Sequence, residues 1–379
     1  LSSSSAASDV YKRQGRVLIS GGATSSVLRL HTVRGSVTIE RATGMIVNVT
    51  DLAGRERLAS PFALNFWRAP TDNDRGGVEL HTRLLPYLPR TLALAVSVLP
   101  TLSHGVLAAL GALSRVLPLS VNLGAQVSFA TLWAREGWAR LEPRDVTTRV
   151  EPQPDGSVSV HTSIGMVDGA SGAPRVACRV RTLVSANGHA WLRVTCDVSS
   201  EVSSVPRVGL CLGVREAFGA AVSWLGRGPH ENYDDRKEGA PIAQHALPAA
   251  EMHTPYIVPG ENGLRSDVQW LALRNGAGSG LLLAGQPDMM ASVSPFGQRE
   301  LERATHDHEL VPSGKLSVCL DHRHMGVGGD DSWSRTVLPN YWVPAGRYSW
   351  AVGVRTLEPG EDADEAAREV LLAAPRDAA

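Results

Sequence analysis

The sequence contains few of the residues that mark disulfide-rich, zinc-binding or nucleic-acid-binding proteins. Its 379 residues include four cysteines, and their spacing matches neither a zinc site nor a CxxC pattern. Three of the four fall in strand-like segments, so we predict small, buried thiols in a reducing compartment, and therefore a cytoplasmic protein. The formal net charge of −1 argues against a nucleic-acid partner and against binding to an anionic membrane.

The common catalytic motifs are also missing. The sequence has no GxSxG, no HExxH, no P-loop and no dinucleotide-binding fingerprint. Two histidine pairs, His306/His308 and His322/His324, have the alternate spacing of metal ligands on a strand. No third ligand is placed beside either pair, so we expect no transition-metal site.

Two segments do not fit the pattern of the rest of the chain. Residues 1–14 (LSSSSAASDVYKRQ) begin with Leu1 and lack the apolar region of a signal peptide, so we expect a spurious or disordered leader on a fragment. Residues 91–114 are uncharged, but Pro100 and Gly105 interrupt them and no positive-inside asymmetry frames them, which argues against a membrane span. We expect an apolar insert at about residues 84–130, either a real lid or oligomer contact or a gene-prediction error.

Alternation of apolar and polar residues predicts an all-β fold. The alternation begins at Val37, is clearest over residues 155–198, and recurs around residues 208–214, 268–273, 280–284, 315–320 and 348–354. Asn187-Gly188 predicts a type I′ hairpin turn, and Asn275-Gly276 predicts a second hairpin turn. We therefore predict a large antiparallel β-sandwich over residues 15–357, followed by a short helix in a tail of residues 358–379.

Several polar loops carry the side chains that bind neutral sugars. Asn, Asp and Arg hydrogen-bond to neighbouring hydroxyls, and an aromatic ring covers the C–H face of a pyranose. His230 and Glu231 are also candidates for an acid/base pair. The alternative is that arginines such as Arg265 only brace the loops. The loops are NFWRAPTDNDRGG (65–77), WLGRGPHENYDDR (224–236), PYIVPGENGLR (255–265) and HMGVGGDDSW (324–333).

The last of these loops ends in a tryptophan that suits sugar binding. Its three glycines permit a tight turn, and Asp330, Asp331 and Ser332 can fix that turn by hydrogen bonds to local amides. Trp333 would then present a flat indole surface to a sugar. The alternative is that Trp333 belongs to the hydrophobic core.

These loops, together with PRVGL at residues 206–210, resemble a known family in the same order along the chain. They are similar to the C-terminal domain, also called domain 5 or the small chain, of the large β-galactosidases of glycoside hydrolase family 2. The resemblance covers roughly residues 29–357. The leader, the apolar insert and the terminal helix depart from the family pattern.

The resemblance implies a β-supersandwich like that of galactose mutarotase. It also implies hydrolysis of terminal β-D-galactosides such as lactose with retention, which needs two carboxylates about 5–5.5 Å apart. In the family these are glutamates on a TIM barrel, so the resemblance implies no catalytic residue in this chain. It implies that Trp333 stacks on the substrate, and the substrate-binding candidates beside it are Asp331, His230, Glu231 and Arg265.

The resemblance also implies cofactors and partners for the complete enzyme. Mg²⁺ and Na⁺ are expected there, and the backbone carbonyls of Val258 and Pro259 are expected at a monovalent cation site. The expected partner is the TIM-barrel catalytic part, within an oligomer. Two other functions stay open: a free-standing carbohydrate-binding module, and a mutarotase-like epimerase that uses His230 and Glu231.

We predict that the purified chain does not hydrolyse a chromogenic β-galactoside, because its resemblance is to a domain without the catalytic glutamates. Release of the chromophore measures this directly, and clear turnover without a partner would contradict the prediction. Binding of a galactoside by the isolated chain, lost in Trp333→Ala, would favour the binding module. Faster anomer interconversion in a polarimeter would favour the epimerase.

Overall fold

A computed structural model describes residues 15–22, 25–76, 127–329 and 337–375 of the chain. The described part contains sixteen strands. They are β1 Leu18–Ser20, β2 Val27–Thr32, β3 Gly35–Glu40, β4 Ile46–Asp51, β5 Leu58–Asn65, β6 Leu141–Pro152, β7 Val158–Asp168, β8 Pro174–Val184, β9 Ala190–Val198, β10 Arg207–Arg215, β11 Ala221–Arg227, β12 Ile242–Leu247, β13 Arg265–Arg274, β14 Gly280–Ser294, β15 Lys315–His324 and β16 Gly346–Leu357. All the predicted strands lie within this set.

Four short α-helices accompany the strands in the described residues: α1 Asp72–Arg75, α2 Phe129–Glu136, α3 Gln298–Arg303 and α4 Ala363–Leu372. Helix α4 confirms the predicted terminal helix. Helix α2 was not predicted, because its eight residues follow directly on the apolar segment. Ser128 caps its first turn and Gly137, at φ 86°, ends it. The helix buries Phe129 and Trp133 in the main core.

One long strand joins the two layers of the sandwich. Strands β1 to β4 form a separate four-stranded sheet, and the other twelve strands form one branched sheet. The branch is at β14, which pairs with β16 through Gly280–Gln286 and with β15 through Met290–Ser294. One layer continues from β16 to β9, β8, β7 and β6, and the other from β15 to β10 and β5.

The core lies between these layers and confirms the predicted antiparallel β-sandwich. Val194 and Val352 of one layer, and Leu210 and Val318 of the other, belong to the same buried cluster. All strand pairs in both sheets are antiparallel. In β7, β8 and β9 buried residues alternate with more exposed ones, which is the pattern that the sequence shows.

The two predicted hairpins are present, but the predicted type I′ turn at Asn187-Gly188 is wrong. A type I′ turn needs positive φ at both central residues, and of these two only Gly188 has it, at 90°. The loop spans residues 185–189 and is longer than the two-residue turn. At the second hairpin the left-handed residue is Gly278, at φ 81°, and the Asn275 side chain accepts hydrogen bonds from the amides of Ala277 and Ser279.

Helix α4 covers part of the outer face of the sheet. Its Ala367 and Val370 are fully buried against Trp191, Trp270 and Leu282. Asp364 accepts a hydrogen bond from the Trp270 indole at 3.1 Å. The tail is therefore packed as part of the domain.

The cysteines are free thiols, as predicted, and all four lie on strands. Cys178, Cys196 and Cys319 are buried and Cys211 is half-buried. Burial raises the pKa of the Cys211 thiol to about 11, so the thiol is protonated at neutral pH. The cytoplasmic location stays a prediction. Among the described residues no helix is both long and apolar enough to cross a membrane; residues 1–14 and 84–126 of the predicted leader and insert lie outside them.

Candidate functional site

The five sequence motifs meet around a network of buried ion pairs. Arg68, from the first motif, is fully buried and makes a two-pronged pair with Asp74, at 3.1 and 2.7 Å. It also donates to the carbonyls of Met325 and Gly326, at 2.5 and 2.9 Å. One guanidinium thus joins the first motif to the last.

A second buried arginine joins three more segments. Arg207, at the start of β10, places Nη2 at 2.8 Å from Asp321 Oδ2 and at 3.2 Å from Glu261 Oε1. All three side chains are almost completely buried. Asp321 lies on β15, and Glu261 lies in the loop before β13. The backbone amide of Glu261 also donates to the Ala69 carbonyl at 3.0 Å.

Charge counting predicts that this network holds one proton. It contains two guanidiniums, Arg68 and Arg207, and three carboxylates, Asp74, Glu261 and Asp321. Burial raises the pKa of Asp321 to about 7. The positive charge of Arg207 opposes this shift, and the negative charge of Glu261 adds to it. Burial also acts to raise the pKa of Glu261, but Arg207 and then His324 hold it at about 2. Asp321 is therefore the carboxyl group that holds this proton up to about pH 7.

His324 lies between the two arginines and is neutral at physiological pH. Burial and then the charge of Arg207 lower the pKa of His324 to about 3. Its Nδ1 lies 3.2 Å from Arg68 Nη1, and its Nε2 lies 3.6 Å from Glu261 Oε1. The ring also packs on Tyr233, with centroids 5.5 Å apart. His324 is thus a neutral spacer between the two ion pairs.

The glycine-rich segment after β15 is held by side chains from two other motifs. Asn73 Nδ2 donates to the Val327 carbonyl at 2.6 Å, and the Gly328 amide donates to Asp235 Oδ2 at 2.7 Å. A Cβ at Gly326 would overlap the Asp235 carboxylate, so this position requires glycine. The predicted residues Asp330, Asp331 and Trp333 follow this segment in the sequence and lie outside the described residues.

A cleft of about 740 Å³ opens beside this network. Its walls include the following residues of the first, third, fourth and fifth motifs: Asp72, Asn73, Arg236, Tyr256, Ile257 and Gly328. Amide, carboxylate, guanidinium and phenol groups thus stand beside apolar side chains, which is the combination that suits a polyhydroxyl ligand.

Glu231 lies outside the cleft and holds two of the residues that line it. Its carboxylate accepts hydrogen bonds from Arg236 Nη2, from Tyr256 Oη and from the Gly263 amide, the last at 2.7 Å. Arg236 and Tyr256 line the cleft, whereas Glu231 and His230 do not. The side chain of His230 is exposed, and its carbonyl accepts a hydrogen bond from Asn232 at 3.0 Å. In this geometry Glu231 positions two cleft residues.

Arg265 is a brace between loops. Its guanidinium donates to the carbonyls of Pro229, Met252 and Gly263, at 2.7 to 3.3 Å, and is buried over the Trp224 ring. All of these partners lie in the third and fourth motifs or just before them. Arg265 therefore holds the loops together, as the bracing alternative expects, although its partners are carbonyls and not carboxylates.

The carbonyls of Val258 and Pro259 are the predicted ligands of a monovalent cation, and this site stays a prediction. Such ions bind oxygen ligands, and within the described part of the chain neither carbonyl accepts a hydrogen bond. Val258 lines the cleft. Elsewhere in the described ranges, no group of three or more His, Cys, Asp or Glu side chains could hold a metal ion.

Sequence reasoning missed the centre of the site, namely Arg207 and Asp321. Both occur in strands that are otherwise mostly apolar: Arg207 precedes VGLCLGV, and Asp321 follows LSVCL. A charge in such a pattern is a signal of a buried pair, because an unpaired buried charge is strongly unfavourable. The sequence does not say which charges pair.

Fold and site define an antiparallel β-sandwich domain that carries a polar cleft supported by buried ion pairs. The family model described as "Beta galactosidase small chain" matches residues 32–354. The chain therefore belongs to the β-galactosidase small chain family.

Known relatives agree with this assignment. The chain is 33% identical over 316 residues to a beta-galactosidase of Aeromonas hydrophila, covering 82% of this chain and 26% of the relative. It is 31% identical over 292 residues to a beta-galactosidase of Priestia megaterium, covering 77% of this chain and 23% of the relative. The chain thus spans about a quarter of the length of these relatives. Among solved structures, it is similar to a galactose 1-epimerase from Lactobacillus acidophilus, with a TM-score of 0.45 and 8% identity over 92% of this chain and 100% of the epimerase.

We predict that Arg207→Ala destabilises the fold by about 3–5 kcal/mol, because it leaves Glu261 and Asp321 buried without their common cation. The matched control is Arg144→Ala, which breaks the exposed pair with Glu142 and should change stability little. Urea denaturation of the two variants measures the difference. Equal losses in both would show that the buried network does not stabilise the domain.

We predict that Asp321 lowers stability as the pH rises from about 4 to about 7, against the gain in stability that the buried, neutral His324 produces in the same window. In this window the unfolded aspartate, with its ordinary pKa of 3.8, has lost its proton, whereas the folded one, at about 7, retains it. At Asp321 the folded state binds more protons, so this residue favours unfolding as the pH rises, whereas His324, whose pKa is lowered from 6.5 to about 3, has the opposite effect. Urea denaturation at several pH values should therefore show stability rising more steeply with pH, between about 4 and 7, in Asp321→Asn than in the wild type.

Asp168→Asn is the control for this pH profile. Hydrogen bonds from Arg140 lower the pKa of Asp168, so its contribution is lost only below pH 3.8. The variant should be less stable, yet keep the slope of the wild type between pH 4 and 7. An unchanged slope in Asp321→Asn would contradict the assignment of the proton.

Proposed function

We propose that this chain forms one wall of the galactoside-binding site of a complete β-galactosidase. The observation that carries the proposal is that motifs from across the chain, in a member of the small chain family, form a single polar cleft. The complete enzyme then hydrolyses terminal β-D-galactosides such as lactose with retention. Its catalytic glutamates lie on a TIM-barrel part outside this chain.

The chemistry of the cleft supports a neutral sugar as its ligand. Asp72 and Asn73 supply oxygen acceptors, and Asn73 Oδ1 is buried with no hydrogen-bond partner among the described residues. Arg236 supplies donors, and Tyr256 supplies both an apolar ring and a hydroxyl. Sugar hydroxyls both donate and accept, so they complement such a mixed surface.

Preorganisation is the contribution of this domain to catalysis. Glu231 holds Arg236 and Tyr256, and Arg68 with Asp235 holds the backbone that leads to Trp333. Groups fixed before the substrate arrives lose little entropy on binding. Trp333 stacks on the sugar in this proposal, and Asp331 fixes its turn.

The complete enzyme also accounts for the expected ions and assembly. The carbonyls of Val258 and Pro259 take a monovalent cation at the edge of the cleft, while Mg²⁺ is bound outside this chain. The enzyme is an oligomer with the barrel as the intramolecular or separate-subunit partner, and it works in the cytoplasm.

The test uses the complete enzyme, obtained by extending the reading frame upstream of Leu1. We predict that Arg236→Gln raises KM for a chromogenic β-galactoside about tenfold with a smaller change in kcat, because it removes cleft donors and leaves the catalytic carboxylates in place. Trp333→Ala should act in the same direction. Steady-state kinetics measure both parameters.

The control is Arg29→Gln, which removes an exposed arginine from β2 and should leave both parameters unchanged. Unchanged KM in Arg236→Gln and Trp333→Ala would contradict a role of this cleft in substrate binding. The proposal that this chain belongs to a complete β-galactosidase would be contradicted by an upstream reading frame without a barrel. It would also be contradicted by a separate partner that binds no galactoside.

A further inference from the structure

Two pairs of cysteines face each other across neighbouring strands. In the first pair Cys178 on β8 is in register with Cys196 on β9, and in the second pair Cys211 on β10 is in register with Cys319 on β15. All four thiols are free. Residues directly opposite on antiparallel strands have Cβ atoms about 4.5–5.5 Å apart, slightly more than the roughly 3.5–4.5 Å of a disulfide. The direction of the side chains therefore decides whether either pair can be joined.

The sulfur atoms of the first pair are already in contact. Cys178 Sγ and Cys196 Sγ lie 2.8 Å apart. A disulfide bond is about 2.0 Å long, so these atoms need to approach each other by roughly 0.8 Å to be joined. No change in the register of the two strands is required. Both residues belong to the buried cluster between the layers, so apolar side chains enclose this contact.

In the second pair the sulfur atom of Cys319 is engaged by other groups. It accepts hydrogen bonds from Arg207 Nη1 and Gln298 Nε2, both at 3.5 Å, and from Asn65 Nδ2 at 3.7 Å. In the part of the chain that the structure describes, no hydrogen bond joins this sulfur atom to Cys211. The second pair thus has the same register without the sulfur contact, which makes it a control for the first.

Local structure brings the first pair together. Cys178 and Cys196 are only 18 positions apart in the sequence, and the hairpin of β8 and β9 joins them through a loop at residues 185–189. Hairpins form in microseconds, and contacts between residues close in sequence form sooner than those between distant strands. The two thiols therefore meet while they are still accessible to solvent.

In the folded domain the same two thiols are buried. Cys178 is 2% exposed and Cys196 is 0% exposed. Burial, and then the neighbouring Cys178 thiol, raise the pKa of Cys196 far above its ordinary value of 9.0. Only a thiolate attacks a disulfide. The folded chain therefore reacts slowly with an oxidant, and a bond already formed is protected from a reductant.

We propose that Cys178 and Cys196 are a disulfide site that closes while the chain folds under oxidising conditions and is then buried. The oxidant is a small disulfide such as oxidised glutathione. One cysteine thiolate attacks a sulfur of the oxidant, forms a mixed disulfide and releases one glutathione thiolate. The other cysteine thiolate attacks the protein sulfur of this mixed disulfide and releases the second one. Two protein thiols are oxidised, one oxidant disulfide is reduced, and the two protons pass to two glutathione thiols.

The state of the pair then depends on the conditions during folding. In a reducing environment the thiols stay free, as in the structure. In an oxidising environment the bond joins β8 to β9, which lie inside one layer, between β7 and β16. Closing this loop restricts the unfolded chain, so the bond stabilises the domain.

The test refolds the reduced chain from urea in oxidised glutathione at about pH 8, where unfolded thiols are partly ionised. Free thiols are then alkylated under denaturing conditions, and the intact mass and the tryptic peptides are measured. Trypsin cleaves after Arg179 and after Arg193, between the two cysteines. We expect two of the four thiols to be lost, and the peptides of residues 176–179 and 194–207 to be joined.

Double variants give the matched controls. Cys178→Ala/Cys196→Ala should keep its two remaining thiols free under the same conditions, whereas Cys211→Ala/Cys319→Ala should form the bond as the wild type does. Cooperative urea unfolding shows that each variant is folded, and the oxidised wild type should unfold at a higher urea concentration than the reduced one. The wild type contains both pairs, so its peptide map distinguishes them even where a variant does not fold.

The rate of bond formation tests whether the bond closes before burial. The refolding chain should form it at least about tenfold faster than the native chain in the same buffer, because the native thiols react only after the hairpin opens. Reduced glutathione should reopen the bond in urea and leave it intact in the folded domain. Equal rates in the refolding and native chains would contradict closure during folding.

Four further results would overturn the proposal. They are four free thiols after refolding in the oxidant, a bond between Cys211 and Cys319 formed to the same extent, bonds between chains only, and an oxidised chain that unfolds at a lower urea concentration than the reduced one.

Discussion

The buried pairing of Arg207 with Glu261 and Asp321 is the constraint on which the site depends. A guanidinium in the interior is tolerated only when carboxylates compensate it, and these two come from a loop and from a different strand. Arg68 with Asp74 imposes the same condition on the first motif and on the segment after β15. The loops cannot shift independently without leaving a buried charge unpaired, so their relative positions are fixed before any ligand binds.

The sandwich provides the frame for this constraint. Because β14 belongs to both layers, the strands that carry Arg207 and Asp321 are tied to the layer that carries α4. The polar residues of the network lie in loops and near the ends of strands, beside the buried apolar cluster. A rigid frame with polar loops is the arrangement expected of a domain that shapes a binding site.

The cleft and the network beside it treat polar groups in different ways. In the network, each buried charge has a partner within the chain. At the cleft, the open side chains are mixed in character, and this arrangement suits a neutral, polyhydroxyl ligand.

The sequence by itself determined the all-β class, the strands, the terminal helix and the motifs that place the chain in its family, because alternation along a strand is a local property. It did not determine helix α2, since eight residues carry too little periodicity. Nor did it determine the turn at Asn187-Gly188, because the length of the loop decides the turn type. Only the tertiary structure decided that Glu231 supports the cleft, that Arg265 braces carbonyls, and that Asp321 holds a proton. These roles depend on which charges meet after folding and on how far water is excluded from them, and neither quantity is encoded in local spacing.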